Sequence, residues 1–220
     1  MDLIANVYLA AFVLGTVHAV EVDHMAAVTV FAGMKPRLLA AGNYGARWGV
    51  GHALVVVIVG SGLALFNIKL PTGFMDFSEV LVGLALIALG LWAYKRSKKF
   101  SVDCPQAQMA KAADGISIDN HDPSPHQHLP TAMGALHGLA GSAPVLALLP
   151  VALLPNMQQV ILYLVLFSIG TTLAMSVYAL LAAATVRGLR VTQQHFWRLS
   201  KGIALASILV GSSWIVRGML

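Results

Sequence analysis

Trp48-Gly-Val-Gly-His52-Ala-Leu-Val-Val-Val-Ile-Val-Gly-Ser-Gly-Leu-Ala-Leu-Phe66 holds no Asp, Glu, Lys or Arg. A helix needs about 20 mostly apolar residues to cross the hydrocarbon of a bilayer, and this stretch is long enough. The same pattern recurs on both sides of it. A first apolar run goes from Leu3 to about Phe31, interrupted by His18, Glu21, Asp23 and His24. A third lies between Glu79 and Lys95 and a sixth between Lys201 and Arg217, each with 15 uncharged residues. Helices that short need snorkelling flanks or a thinned bilayer. From Pro123 to Val186 the chain has no Asp, Glu, Lys or Arg. That stretch reads as two spans, about 131–153 and 160–186, turned by Pro155-Asn-Met-Gln-Gln159. The reading is an all-α integral membrane protein of about six transmembrane helices.

Composition agrees. Of 220 residues, 58% are hydrophobic and 10% charged, with a mean hydropathy of +0.77. A soluble domain carries roughly 25% charged residues, so lipid must be the main solvent here. The net charge is +5 and the pI about 9.6, but the basic residues fall between apolar runs. They read as topology signals and not as a nucleic-acid face. Cys104 is the only cysteine, which excludes a disulfide framework within one chain. Met-Asp-Leu-Ile at the start has no basic n-region, so the first run reads as a span and not as a signal peptide. No Walker motif is present.

The basic residues set an orientation. Lys35, Arg37 and Arg47 follow the first span, Arg96, Lys98, Lys99 and Lys111 the third, and Arg187, Arg190 and Arg198 the fifth. All three loops fall on the cytoplasmic side if both termini are outside. A bacterial inner membrane is the expected location.

An internal repeat emerges on shifting the chain by 119 residues. Gly15 then falls on Gly134, His18 on His137, Tyr44 on Tyr163, Trp48 on Phe167, Gly51 on Gly170 and Leu54 on Leu173. Gly83, Ala85 and Leu86 fall on Gly202, Ala204 and Leu205. Two or three further residues bring Gly90 and Trp92 to Gly211 and Trp214. One offset serving three helices divides the chain into residues 1–95, a polar loop over 96–130, and residues 131–220. Each half has three spans, an odd number, so the halves must be inverted, and inverted repeats with a site at their interface are a transporter architecture.

His18-Ala-Val-Glu21-Val-Asp23-His24 is the strongest chemical signal. Ionisable groups inside a span are costly and mark functional paths. On a continuous helix, His18, Glu21 and His24 would share a face within an arc of about 120°, with Asp23 on its flank. Two imidazoles and a carboxylate suit nickel, cobalt, copper or zinc, and Asp23 could instead orient a ligand histidine. The competing reading is an ion-paired cluster that holds helices together. His52 lies at a comparable depth, with Gly49 and Gly51 allowing close helix approach. His137-Gly-Leu-Ala-Gly-Ser142-Ala-Pro144 invites a broken helix, and its histidine is either a ligand or a hydrogen-bonded packing residue. Ser142, Thr171 and Thr172 either line a pathway or pack helices. In the loop, His121, His126 and His128 have a metal-tract composition, and a solvated linker is the plainer alternative.

These motifs resemble the nickel/cobalt transporter superfamily, whose first signature is His-Ala-x-Asp-Ala-Asp-His and whose second is a Gly-His followed by small and aliphatic residues. The likeness runs from about residue 10 to 217 and is greatest to the smaller six-helix branch called urease-accessory (UreH-like). It implies Ni2+ or Co2+ as substrate and His18, Asp23, His24 and His52 as metal-binding residues. Glu21 stands where that family has Asp. The later acidic motifs and extra N-terminal helix of the larger transporters have no counterpart here. The expected function is a secondary metal permease and not an enzyme. A membrane scaffold delivering metal to urease or hydrogenase, or less favourably an intramembrane metalloenzyme or haem protein, are the alternatives. The metal ion and the bilayer are the expected partners, with a metallochaperone and a second copy of the chain as further candidates.

Overall fold

The computed structural model describes residues 3–34, 38–68, 72–97, 128–139, 154–188 and 193–219. Every regular element among them is a helix. In chain order these are α1 (Leu3–His18), α2 (Val22–Met34), α3 (Leu38–Phe66), α4 (Thr72–Ser97), α5 (Leu129–Leu139), α6 (Met157–Gly188) and α7 (Gln193–Arg217). Among the described residues, α3, Asp76–Lys95 of α4, Met157–Arg187 of α6 and Arg198–Arg217 of α7 are long and apolar enough to cross a membrane. The pair α1 and α2 makes a fifth candidate, bent by 58° at its break. This is a multi-pass membrane protein. The expected span over 131–153 is described only as far as Leu139.

Four sequence expectations change. The first span is not one helix, since α1 stops at His18 and α2 starts at Val22. The second begins at Leu38, ten residues before Trp48, because Arg47 does not interrupt the helix. The turn before α6 is shorter than Pro155–Gln159. The helix starts at Met157, and the Asn156 side chain accepts the Gln159 N–H at 3.0 Å, an N-cap that leaves Gln158 and Gln159 helical. Likewise α4 and α7 run past their flanking charges, so neither helix is short. Lys201 lies over the Tyr94 ring at 5.0 Å and Arg217 over Trp214 at 4.7 Å.

The polarity is that of a chain solvated by lipid. Leu54, Ile58, Leu65, Leu173, Val177 and Leu181 are exposed, whereas His18, Asp23, His24, His52 and His137 are buried. Ionisable side chains inside and leucines outside is the arrangement a bilayer selects.

The helices pair antiparallel. Along α3 and α6, a Cβ added at Gly45 would meet Met175 and Ser176, one at Gly49 Thr172, and one at Gly60 Leu164. Along α4 and α7, Gly83 faces Gly211 and Gly90 faces Ala204. The short helices approach their neighbours backbone to backbone. At Gly15 of α1 an added Cβ would strike the Phe167 carbonyl of α6, and at Gly134 of α5 the Trp48 carbonyl of α3. Gly170 meets Phe12 and Gly51 meets Thr131 in the same manner. Under the 119-residue shift the Gly15–Phe167 contact exchanges with Gly134–Trp48, and Gly170–Phe12 with Gly51–Thr131.

Candidate metal centre

The break between α1 and α2 builds the centre. Val20 N–H bonds to Val17 O at 3.0 Å and Glu21 N–H to His18 O at 3.1 Å, three-residue bonds that tighten and end α1. Met25 N–H then bonds to Glu21 O at 3.0 Å, which places Glu21 at the N-cap of α2 and Asp23 in its first turn. Acids at a helix start and a histidine at a helix end both suit the helix dipole. The bend turns His18 and His24 towards each other across the break.

His52, near the middle of α3, joins them. His24 Nε2 lies 3.1 Å from His18 Nε2, and His18 Nε2 lies 3.3 Å from His52 Nε2. The donor atoms of the three side chains are all within 4.8 Å of one another. Metal–nitrogen bonds of about 2.0–2.1 Å place neighbouring ligand nitrogens roughly 2.9–3.4 Å apart at angles of 90–109°, and both contacts made by His18 have that spacing.

The carboxylates hold the opposite ring nitrogens. His18 Nδ1–H donates to Glu21 Oε1 at 2.9 Å, and His24 Nδ1–H donates to Asp23 Oδ1 at 3.0 Å. A neutral imidazole has one N–H, so each of these bonds leaves a lone pair on Nε2. Lone pairs facing at 3.1 Å repel unless a cation or a shared proton lies between them. Glu21, Asp23 and His24 also form a compact group, in which one oxygen of each carboxylate accepts an imidazole N–H. Glu21 and Asp23 are therefore placed to orient the histidines and to supply negative charge behind them.

The surroundings are aromatic. Trp48 stacks on His52 with ring centres 5.4 Å apart and planes 18° apart, and meets His24 edge-on at 4.8 Å. Phe167, the repeat counterpart of Trp48, lies 5.5 Å from His18. These two side chains carry the walls of the site, and the sequence marked them only through the repeat. His137 is fully buried beside them, its ring centre 5.4 Å from His24. Its Nδ1–H donates to Met133 O at 2.8 Å.

The other expected site residues divide. The Thr171 hydroxyl has two acceptors, Phe167 O at 3.1 Å and Gly15 O at 3.0 Å, and so ties α6 to the last turn of α1. Thr172 stands against Gly49. Both threonines thus lie at helix–helix contacts. His128 is exposed in the turn before α5, where its carbonyl accepts the Ala132 N–H at 2.9 Å. His121, His126 and Ser142 lie outside the described residues.

Residues 49–211 match the family described as the cytochrome c biogenesis protein transmembrane region. The chain belongs to that family. It is also similar to urease accessory protein UreH of Bacillus sp. (strain TB-90), 30% identical over 179 residues that cover 80% of this chain and 75% of the relative. Two chloroplast proteins of Arabidopsis thaliana are more distant. FOR GROWTH AND FERTILITY 2 is 26% identical over 208 residues and FOR GROWTH AND FERTILITY 1 is 25% identical over 198. They align with 90% and 84% of this chain, which spans about half the length of each, 55% and 53%. No solved structure matches. None of these relatives is named for an enzymatic activity. His52 and His137 fall within the matched family region, and the His18–His24 motif precedes it.

Proposed function

We propose that this protein is a secondary permease that moves a divalent transition-metal ion, nickel or cobalt, as substrate through the centre formed by His18, His24 and His52. The observation that carries the reading is the convergence of three buried Nε2 atoms at a helix break. Neutral imidazoles suit nickel, cobalt, copper and zinc, and intramembrane ionisable groups mark transport paths. Nickel is favoured by the likeness of the first motif to the nickel/cobalt transporters and by a relative named for urease, a nickel enzyme.

The halves, residues 1–95 and 131–220, are inverted repeats in this reading, joined by a cytoplasmic loop over 96–130. The antiparallel run of the paired helices α3 with α6 and α4 with α7 is what inversion requires. Rocking of the halves about the ion would give alternating access. Both termini lie outside a bacterial plasma membrane, and His121, His126 and His128 hold ions weakly at the cytoplasmic mouth or pass them to a metallochaperone.

The test is flux of nickel, cobalt, zinc and manganese in turn into proteoliposomes. Nickel or cobalt entry is the expected result. Folded protein that binds metal yet moves no ion would instead favour a membrane scaffold that delivers metal, a reading the word "accessory" in the relative's name supports.

The carboxylates carry their own expectation. Asp23→Ala and Glu21→Ala each lower cobalt affinity about 10–100-fold, the usual cost of removing a partner behind a ligand histidine. Asp23→Asn costs less, because its amide oxygen still accepts the His24 Nδ1–H. Titration of purified protein with cobalt decides this, and equal losses in Asp23→Asn and Asp23→Ala would favour direct ligation by the carboxylate.

A further inference from the structure

His137 has a donor atom with nothing to do. Its Nδ1–H is held by the Met133 carbonyl at 2.8 Å, which fixes the lone pair on Nε2. That Nε2 is buried and has no hydrogen-bond partner among the described residues. A buried polar atom left unpaired costs free energy, so its retention calls for an intermittent partner. The ring stands 5.4 Å from His24 and 5.5 Å from Trp48. Helix α5 crosses α3 over His52 itself, where a Cβ added at Gly138 would lie 2.8 Å from the His52 carbonyl.

His18 and His137 are counterparts in the 119-residue shift, and so are their settings. Each ends or nearly ends a short helix whose glycine, Gly15 or Gly134, rests on the backbone of the aromatic residue of the other half. His24 and His52 have no histidine counterparts, since positions 143 and 171 are Ala143 and Thr171. The donor set is thus one asymmetric pair plus one histidine from each half. In the structure the first half delivers its histidine, with His18 Nε2 at 3.1 Å and 3.3 Å from the pair, and the second half does not.

We propose that His18 and His137 take turns as the third nitrogen on the ion while His24 and His52 stay bound throughout. The inference rests on the metal-substrate reading above. When inverted halves exchange conformations, His137 advances as His18 withdraws, and the ion keeps three nitrogens in both states.

Cobalt titration of the solubilised full chain tests this with His18→Asn, His137→Asn and the double variant. An Asn side-chain N–H can replace each Nδ1–H bond, to Glu21 or to the Met133 carbonyl, while removing Nε2. Unchanged melting of the metal-free variants checks the fold. Each single change is expected to weaken cobalt binding by less than about 10-fold and the double change by more than about 100-fold, the non-additivity of two groups that substitute for one another. In proteoliposomes His137→Asn binds the ion but stops its passage. A double variant that binds no more weakly than His18→Asn alone overturns the proposal, because His137 is then not a ligand. Losses above about 100-fold in each single variant also overturn it, because both histidines would then be needed at once. Wild-type protein that binds cobalt but moves no ion sinks the permease reading, and the binding cycle still decides the role of His137.

Discussion

His24→Ala is expected to abolish metal binding and flux together. His24 is the hub of the centre. Its Nε2 faces His18 at 3.1 Å, its Nδ1–H is held by Asp23 at 3.0 Å, and its ring touches His52, Trp48 and His137. Removing it deletes one of three nitrogens and leaves the Asp23 carboxylate buried without its imidazole. The affinity loss should exceed the roughly 10–100-fold typical of changes behind a ligand. His24 lies in the first turn of α2, where alanine is a good helix former, so the helix itself should persist. Nickel or cobalt titration of the purified variant, followed by flux in vesicles, checks both parts. Wild-type affinity in His24→Ala would remove this histidine from the site and with it the three-nitrogen centre.

Much of the centre was legible because its chemistry is so costly in lipid. Charged and imidazole side chains within an apolar run have few structural reasons to be there, and His18, Asp23, His24, His52 and His137 are all buried as a group. The 119-residue shift pairs Gly15 with Gly134, and both lie against a backbone carbonyl of a neighbouring helix, where an added Cβ would clash. The break after His18 was not recognised, since Ala19-Val-Glu-Val22 contains neither glycine nor proline. Its signal was electrostatic: a histidine to end one helix, then Glu21 and Asp23 to start the next. The bend also changes how Glu21 meets the histidines: a continuous helix would set it on their shared face, whereas here its Oε1 lies 2.9 Å from the outer nitrogen of His18. Trp48 and Phe167 were missed as walls because an aromatic residue in a span ordinarily packs against helices. Only their contacts with His52 and His18 single them out.

The largest effect on stability is expected at the crossings that hold this break in place. An alanine in an exposed helix interior normally gains about 1 kcal/mol over glycine. Gly134→Ala should reverse that sign, because the new methyl would overlap the Trp48 carbonyl and come within 3.1 Å of the His52 N atom. A backbone carbonyl cannot rotate away as a side chain can, so α5 must lift off α3. Overpacking of a close-packed contact costs about 1–3 kcal/mol, and contact with backbone belongs at the upper end. Gly15→Ala should behave alike against the Phe167 carbonyl and displace α1 together with His18. Gly202→Ala is the matched comparison, since it lies in α7 with nothing within 4 Å of an added Cβ, and it should be neutral or stabilising. Thermal unfolding of the three variants in detergent separates these outcomes. A Gly134→Ala protein that melts with Gly202→Ala would mean that α5 does not rest on the backbone of Trp48 and His52. The crossing would then be too loose to hold His137 beside the ion.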